Sequence, residues 1–228
     1  KPVNLHWRLM MGIIAIAIDG PAGAGKSTIA KLVAKKLGVL YVDTGAMYRA
    51  ITLEIADKGI DLSDISSIED LLDNTEIVFD GERMFTNGTD VSDKIRSAKV
   101  NELVSPVSAI PEIRKRLVKM QRNIALEKSV VMDGRDIGTN VLKDADIKIY
   151  LTASPDERAR RRCREMAEKG VDVRFDDVRD GILNRDRIDS GRKTNPLRKA
   201  DDAFEIDTTD LSVEEVADRV LSIIKARC

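Results

Sequence analysis

The sequence predicts an α/β fold with three layers, in which helices cover both faces of a central parallel sheet. Short apolar runs alternate along the chain with longer segments whose apolar residues recur at helical spacing. A strand buried on both faces is almost continuously apolar, and Ile13–Ile18 has this character. The alternation of such strands with helices therefore predicts parallel pairing.

The first part of the chain supplies a strand, a glycine-rich loop, a helix, a second strand and a second helix. The first helix follows the loop and ends at Gly38, the strand "VLYVDTG" ends at Asp43, and Ala46–Ala56 has helical spacing. Residues 60–98 then interrupt the alternation, because short β-prone runs flank "DGER" and precede "NG", which are typical hairpin sequences. We expect a small β-rich insert at 60–98.

The second part of the chain returns to alternating helices and strands. Pro111–Lys128 is predicted to be a helix, and the strand "SVVMD" that follows ends at Asp133. The strand "DIKIYLTAS" leads into a helix with Ser154 as its N-cap and an end near Lys169. The strand "AFEID" and a helix capped by Ser212 complete the predicted fold.

One segment of the second part differs from the rest in composition. Residues 171–200 are rich in Arg and Asp and poor in large apolar side chains, so we expect them to be exposed and mobile. Together with the preceding helix they form a predicted helical lid at about 155–200.

Residues 13–228 are predicted to form a single domain, and residues 1–12 are predicted to be a disordered leader. The leader shows neither strand nor helix periodicity, and Met10 or Met11 is the expected natural start. It also holds His6, the only histidine of the sequence, so the predicted domain offers no histidine base.

Composition excludes several classes of protein. The 228 residues carry 38 Lys and Arg against 39 Asp and Glu, which is not the positive excess of a general nucleic-acid-binding protein. Cys163 and Cys228 are too few for a disulfide framework and indicate a reducing, cytoplasmic location. No apolar run reaches the roughly 20 residues that span a bilayer, so we expect no membrane role.

The segment "GPAGAGKS", Gly20–Ser27, matches the phosphate-binding P-loop pattern G-x-x-x-x-G-K-[ST] between a strand and a helix. Backbone N–H groups of such a loop converge on phosphate oxygens at the positive end of the helix. Lys26 adds charge for the β- and γ-phosphates, and the Ser27 hydroxyl can bind Mg²⁺. The residues predicted to bind ATP in this loop are Gly20, Pro21, Ala22, Gly23, Ala24, Gly25, Lys26, Ser27 and Thr28.

Two further interpretations leave alternatives open. Arg158 and Arg162 share a helix face at i, i+4, and that face could either reach ATP phosphates or be solvated. Asp133, at the end of a strand, could order Mg²⁺ ligands or only cap the following turn. We favour the metal role for Asp133. For Arg158 and Arg162 the two alternatives are evenly balanced, and both residues are included among the predicted ATP-binding residues.

The motifs "IDGPAGAGKST", "DTGAMYRA", "DVSDKIR", "DGRDIGT" and "NRDRIDSGR", in this order and spacing, closely resemble those of the bacterial cytidylate kinases. The resemblance extends from Ile13 to the C-terminus. It implies a P-loop fold with a nucleotide-binding insert and a lid, and transfer of the γ-phosphate of ATP to CMP or dCMP with Mg²⁺. Residues 60–98 would be the insert that binds the monophosphate, in a monomer that acts on small molecules.

The resemblance also implies roles for individual residues outside the P-loop. Thr44 and Arg49 match the acceptor-phosphate pocket, and Thr44 replaces the Ser of some members. The positions that match cytosine-binding residues are Ser105, Arg114 and Asp136. Those that match phosphate- or sugar-binding residues are Arg135, Arg185, Asp189 and Arg192, and the implied catalytic residues are Lys26, Arg135 and Arg192.

The chemistry of these groups is consistent with that reaction. Cytosine offers a donor at N4 and acceptors at N3 and O2, so a carboxylate together with Arg or Ser distinguishes it from uracil. The acceptor phosphate, with a second pKa of about 6, is already nucleophilic near neutral pH and needs no general base. What catalysis requires is positioning of two polyanions and neutralisation of charge.

Two other functions remain open from the sequence. One is a P-loop kinase for UMP or for an alcohol, in which Asp43 would act as the base. The other is a regulatory protein that hydrolyses ATP slowly and acts through an exposed apolar patch, for which no segment is an evident source.

Overall fold

The computed structural model describes residues 12–80, 83–168 and 170–227. The predicted leader, with His6, lies outside the described residues apart from Gly12. The strands are β1 Ala15–Asp19, β2 Leu40–Asp43, β3 Ile77–Asp80, β4 Arg83–Thr86, β5 Thr89–Asp90, β6 Val130–Gly134, β7 Ile147–Thr152 and β8 Phe204–Asp207.

α-Helices follow β1, β2, β7 and β8, as the alternating pattern predicted. They are α1 Lys26–Leu37, α2 Thr44–Lys58, α3 Ile65–Asp73, α4 Ala98–Val107, α5 Pro111–Glu127, α6 Pro155–Glu168, α7 Phe175–Ser190 and α8 Val213–Arg227. A 3₁₀ turn occupies Lys94–Arg96 and a π-helical turn occupies Ile137–Val141. Within the described residues, no helix combines the length and apolar composition that a membrane span requires.

The central sheet has the strand order β2-β6-β1-β7-β8. β1 is buried along its whole length and pairs in parallel with β6 on one side and β7 on the other. Its last residue, Asp19, is in register with Gly134, so the glycine-rich loop and the "GRDIGT" segment leave the sheet at the same edge. This parallel sheet with flanking helices confirms the predicted α/β class.

The chain divides into two compact units, each with its own apolar core. The first unit runs to Val42 and resumes at Ile124, and the second is the continuous segment Asp43–Asn123. In the first unit, α1 and α8 contribute to a core with β1, β7 and residues such as Ile18 and Val220. In the second, α2 and α5 contribute to a core that includes Met47 and Leu117.

Residues 60–98 contain the three-stranded antiparallel sheet β3-β4-β5 and also a helix, which the expected β-rich insert did not include. The sequence "ISSIEDLLD" places Ile68, Leu71 and Leu72 on one buried face, and the Asp64 side chain accepts the Ser67 amide as an N-cap. This helical pattern is only nine residues long, and the hairpin sequences that follow it led to the prediction of a purely β-rich insert.

Residues 171–200 hold the regular helix α7 where the sequence predicted an exposed and mobile segment. Ile182 and Leu197 bury apolar side chains and Asp189 buries a carboxylate, so both apolar packing and ionic contacts hold this segment. The preceding helix has the predicted N-terminus, since Ser154 Oγ accepts the Glu157 amide at 3.3 Å. Mobility of 171–200 remains a prediction.

Candidate active site

The glycine-rich loop joins β1 to α1 in a conformation that requires glycine. Gly20, Gly23 and Gly25 have φ values of 148°, 77° and 82°. A Cβ on Gly20 would lie 2.0 Å from the Leu151 carbonyl oxygen, and one on Gly23 would lie 3.0 Å from Arg158 Cβ. The loop is therefore held close to β7 and α6, and it leads directly into the N-terminus of α1, where a phosphate is favoured.

Lys26, the first residue of α1, is buried, and its Nζ donates to the Pro21 carbonyl at 2.7 Å. Burial, and then the positive charge of Arg135, lower its pKa well below the usual value. A bound phosphate would reverse this effect, because an anion beside a buried ammonium favours the charged form. The Lys26 side chain is therefore suited to bind an anion, which would stabilise its charged form.

Ser27 and Asp133 form a direct contact at the end of the sheet. Ser27 Oγ donates to Asp133 Oδ2 at 2.8 Å, and the Tyr41 hydroxyl donates to Asp133 Oδ1 at 3.0 Å. Asp133 lies within β6 and its carboxylate faces the P-loop helix, which favours the metal role over the turn cap.

These groups have the chemistry that Mg²⁺ prefers. A carboxylate and a hydroxyl are hard oxygen ligands, and Mg²⁺ is commonly held by one or two carboxylates together with substrate phosphates. Among the described residues there is no group of three or more His, Cys, Asp or Glu side chains suited to a metal. Ser27 and Asp133 therefore fit a metal that arrives with a nucleotide better than a metal bound by protein alone.

Three arginines surround Asp189, which is 1% exposed, and we call these four residues the arginine cluster. Arg135 Nε lies 2.9 Å and Arg185 Nε 4.0 Å from Asp189 Oδ2, and Arg192 bonds to Oδ1. Burial opposes ionisation of Asp189, but the three guanidinium groups keep its pKa below the usual value. The cluster therefore carries excess positive charge, which suits a phosphate.

Asp136 follows Arg135 and is buried at the start of the π-helical turn. Asn140 Nδ2 donates to Asp136 Oδ2 at 2.9 Å. A buried carboxylate of this kind can accept several hydrogen bonds, as the predicted contact with a cytosine amino group requires.

The structure gives Arg158 and Arg162 different environments. Arg158 is buried and donates to the carbonyls of Ala22 and Ala153 and to Asp186. Arg162 lies on the surface of α6 and pairs with Glu165 at 3.0 Å. Arg158 thus braces the P-loop backbone, and ATP contacts of Arg158 and Arg162 remain predictions.

Arg161 was not among the residues predicted to bind ATP, although it lies near the P-loop. Its NH1 would be 3.7 Å from a Cβ on Gly25, and its side chain also bonds to Thr208 and Glu157. It belongs to the run "RARRR", but the i, i+4 spacing singled out Arg158 and Arg162. Tyr41 was also missed, because nothing in "VLYVDTG" marks its hydroxyl as a partner of Asp133.

The second unit holds the residues matched to the acceptor phosphate. Thr44 is the buried first residue of α2, which Asp43 caps by accepting the Ala46 amide at 2.8 Å. Arg49 NH1 donates to the Ile95 carbonyl and to Asn101 Oδ1, at 3.1 and 2.7 Å. Arg49 is thus fixed by a backbone carbonyl and an amide.

The same unit holds two of the residues matched to cytosine. Arg114 is buried on α5, donates to the Ser108 carbonyl at 3.2 Å, and lies 5.7 Å from the centroid of the Tyr48 ring. Ser108 in turn donates through its hydroxyl to the Ser105 carbonyl at 3.0 Å. Ser105 and Arg114 are therefore linked through one residue, and Tyr48 is a neighbour that the sequence analysis did not identify.

Along most of its length, the sequence is similar to a family model and to curated relatives. The sequence model of the family described as cytidylate kinase matches residues 16–226. A cytidylate kinase of Caldanaerobacter subterraneus subsp. tengcongensis is 55% identical over 93% of this chain and 95% of its own length. One from Clostridium botulinum strain Loch Maree is 50% identical, with coverages of 93% and 98%.

Among solved structures, an uncharacterized protein from Eubacterium ventriosum aligns with a TM-score of 0.52 and 16% identity. The alignment covers 94% of this chain and 99% of that one, and at this identity it supports the fold alone. The extent and identity of the sequence matches decide the family: this chain belongs to the cytidylate kinases.

Proposed function

We propose that this chain transfers the γ-phosphate of ATP to CMP or dCMP, giving CDP or dCDP. Family membership supports the reaction class. The structural observation that carries the proposal is the arginine cluster around Asp189, in the same compact unit as the P-loop. The P-loop suits a nucleoside triphosphate, and the arginine cluster suits the phosphate of a second substrate.

The donor phosphates would bind to the P-loop amides and to Lys26. Arrival of the β- and γ-phosphates would free the Lys26 ammonium from the Pro21 carbonyl, which it contacts at 2.7 Å. Ser27 and Asp133 would hold Mg²⁺, which when bound neutralises charge on the phosphates. Arg158 would keep the loop backbone in place through the Ala22 carbonyl.

The acceptor phosphate would bind to Arg135 and Arg192 as catalytic residues, with Arg185 beside them. Asp189 would align these guanidinium groups, because its two oxygens bond to different arginines. A phosphate monoester is mostly dianionic above its second pKa of about 6, so its oxygen attacks without a general base. The resemblance to the cytidylate kinases also assigns Thr44 and Arg49 to the acceptor phosphate.

The resemblance assigns recognition of the cytosine ring to Ser105, Arg114 and Asp136. Arg114 is held at two points, by the Ser108 carbonyl and by the Tyr48 ring, so its remaining N–H groups keep a defined direction. Asp136 would accept from the N4 amino group, and uracil would present an acceptor there instead. This pattern supports CMP over UMP.

The domain roles form part of the same proposal. Within the second unit, Asp43–Asn123, residues 60–98 would help to bind the monophosphate. Residues 155–200 would be the lid, whose closure excludes water from the transferred phosphoryl group. The chain would act as a monomer.

An alcohol acceptor would require a free carboxylate base, and Asp43 was the candidate from the sequence. Asp43 instead caps α2 and lies 3.8 Å from Arg96, so its carboxylate has a structural role in the second unit. This engagement favours a phosphate acceptor.

The test is a coupled assay of ADP formation with Mg²⁺, ATP and one acceptor at a time. We expect CMP and dCMP to be phosphorylated with specificity constants about tenfold or more above that of UMP, and no ADP formation when the acceptor is omitted. Equal rates with and without acceptor would indicate an ATPase, and a preference for another monophosphate would overturn the cytosine assignment.

A further inference from the structure

Asp19 is a buried carboxylate that neither the P-loop pattern nor the arginine cluster includes. It is the last residue of β1, it is 4% exposed, and it directly precedes Gly20. Each of its oxygens accepts one backbone amide, Ile137 N on Oδ1 at 2.8 Å and Gly138 N on Oδ2 at 2.7 Å. One side chain therefore joins the strand that enters the P-loop to a second loop at the same edge of the sheet.

The two amides begin the π-helical turn Ile137–Val141, directly after Arg135 and Asp136. The first N–H groups of a helical turn have no partner within that turn. The Asp136 side chain makes no cap hydrogen bond there, and Asp136 has φ −142° and ψ 31°. Asp19 supplies the acceptors that would otherwise come from a cap.

We propose that Asp19 is a positioning residue for the acceptor side of the reaction, whose carboxylate fixes the backbone that carries Arg135 and Asp136. The inference rests on the proposed function, because it concerns how those two residues meet the monophosphate. Asp19 itself touches the segment only through backbone amides, so it acts through its neighbours.

The contact requires two acceptor oxygens and leaves little space at position 138. Two parallel amides need two acceptor oxygens, and an asparagine amide offers one. A Cβ on Gly138 would lie 3.1 Å from Lys148 Cδ and 3.4 Å from Asp19 Oδ2, so a side chain there would press on the same contact unless the lysine stem moved. A carboxylate at 19 and a residue without a side chain at 138 both suit this contact.

The surroundings make this carboxylate costly to keep ionised. Burial raises the pKa of Asp19 to about 6, the two amides lower it, the charge of Asp136 raises it and that of Lys26 lowers it. Tyr150 of β7 also interacts with Asp19, and Lys148 packs against Gly138 while its Nζ pairs with Asp202. A buried charge with this cost is consistent with a role in positioning.

The test is Asp19→Asn, with Asp146→Asn as a matched control. Asp146 Oδ2 accepts the Ala15 amide at 2.8 Å at the opposite end of β1, so the control removes a similar bond far from the loop. For Asp19→Asn we expect kcat/KM for CMP to fall about 10- to 150-fold, the value of a hydrogen bond to a charged group. The CMP-to-UMP ratio of specificity constants should narrow, while ADP affinity measured by calorimetry stays within about threefold of the parent.

The control variant should leave all three quantities within about threefold of the parent values. Unchanged CMP kinetics in Asp19→Asn, or equal losses of ADP affinity and CMP specificity, would overturn the positioning role. A parent protein that does not phosphorylate CMP would overturn the proposed function instead, so the two failures are distinguishable.

If Asp19→Asn does not fold, Gly138→Ala serves as the second variant, since it keeps the carboxylate and displaces the segment. We expect CMP specificity to fall about two- to tenfold with ADP affinity unchanged, because small displacements of positioning groups reduce the rate. Full CMP specificity in Gly138→Ala would contradict the proposal.

Discussion

The arginines that we assign to substrate are held in different ways in the two compact units. In the first, Arg135 and Arg192 bond to the carboxylate of Asp189. In the second, Arg49 donates to the Ile95 carbonyl and to the Asn101 side-chain oxygen, and Arg114 donates to the Ser108 carbonyl. Charge therefore organises the proposed phosphate site of the first unit, whereas neutral acceptors contact Arg49 and Arg114 of the second.

Two carboxylates, one from each unit, differ in the direction of their pKa shifts. Burial raises the pKa of Asp19 in the first unit to about 6. In the second unit the hydroxyl and amide of Ser92, with Arg83, lower the pKa of the partly exposed Asp90 to about 2. The charge of Asp19 is thus maintained at a cost, whereas that of Asp90 stabilises a turn.

Lys26→Ala should give the largest effect, because it removes a cation from the charge-organised unit. We expect kcat to fall about a hundredfold to a thousandfold, as for loss of one preorganised transition-state donor. Steady-state kinetics with saturating CMP measure it, and Lys35→Ala, at an exposed position of the same helix, is the control. Turnover within tenfold of the parent would remove Lys26 from the catalytic assignment.

Asp189→Asn should have the next largest effect, because it removes the negative charge that aligns Arg135 and Arg192. We expect kcat/KM for CMP to fall about 10- to 150-fold, with a similar loss for UMP, since the cluster is assigned to phosphate. Asp177→Asn, at an exposed position of α7, is the matched control. A loss confined to CMP would show that the cluster reads the base.

Asn101→Ala tests the neutral arrangement in the second unit. It removes one of the acceptors of Arg49 and should lower kcat/KM about three- to tenfold, less than Asp189→Asn, because the Ile95 carbonyl still orients the guanidinium. Parallel kinetics of the two variants measure the difference. A loss equal to that of Asp189→Asn would abolish the contrast between the units.

The raised pKa of Asp19 predicts a pH dependence of stability with a defined sign. The pKa of Asp19 is about 6 in the folded protein and 3.8 ordinarily, so between about pH 7 and pH 4 the folded state binds more protons than the unfolded state. As the pH falls from 7 to 5, Asp19 should therefore increase the free energy of unfolding by about 1 kcal/mol. Urea denaturation of the parent and Asp19→Asn at both pH values measures this difference, and a gain of equal size in the variant would contradict it.

Tyr41→Phe should have the smallest effect, because it removes one hydroxyl that orients Asp133. We expect Mn²⁺ to bind the ADP complex about three- to fivefold more weakly, which is within the range of an ordinary hydrogen bond. Electron paramagnetic resonance measures free Mn²⁺ directly, and Tyr150→Phe is the control. Identical Mn²⁺ affinities would show that the Tyr41 hydroxyl does not position the carboxylate.

Much of the fold could be predicted because its signals are local. The buried run of β1, the loop "GPAGAGKS" and the caps at Ser154 and Ser212 each depend on a few adjacent residues, and the structure contains all of them. Helix α3 was missed because nine residues with one apolar face give a weak periodic signal beside strong hairpin sequences.

The site was predicted less completely, for a different reason. The sequence motifs identified the residues expected to meet substrate, but not the side chains that position them. Asp19 and Tyr41 lie far along the chain from Gly138 and Asp133, and their hydrogen bonds arise only when parallel strands are assembled. No spacing rule applies to such pairs. The helix of 171–200 likewise depends on ionic anchors that composition does not locate.

The division of the chain also has a consequence for the order in which the protein folds. The second unit is one continuous segment, so its contacts can form as soon as residue 123 has left the ribosome. The first unit cannot do the same, because β1 pairs with β6 and β7, which are synthesised more than a hundred residues later. The glycine-rich loop, among the first described segments to be synthesised, therefore gains its supporting strands late. Until then, the nascent chain can hold a folded second unit while the glycine-rich loop still lacks its neighbouring strands.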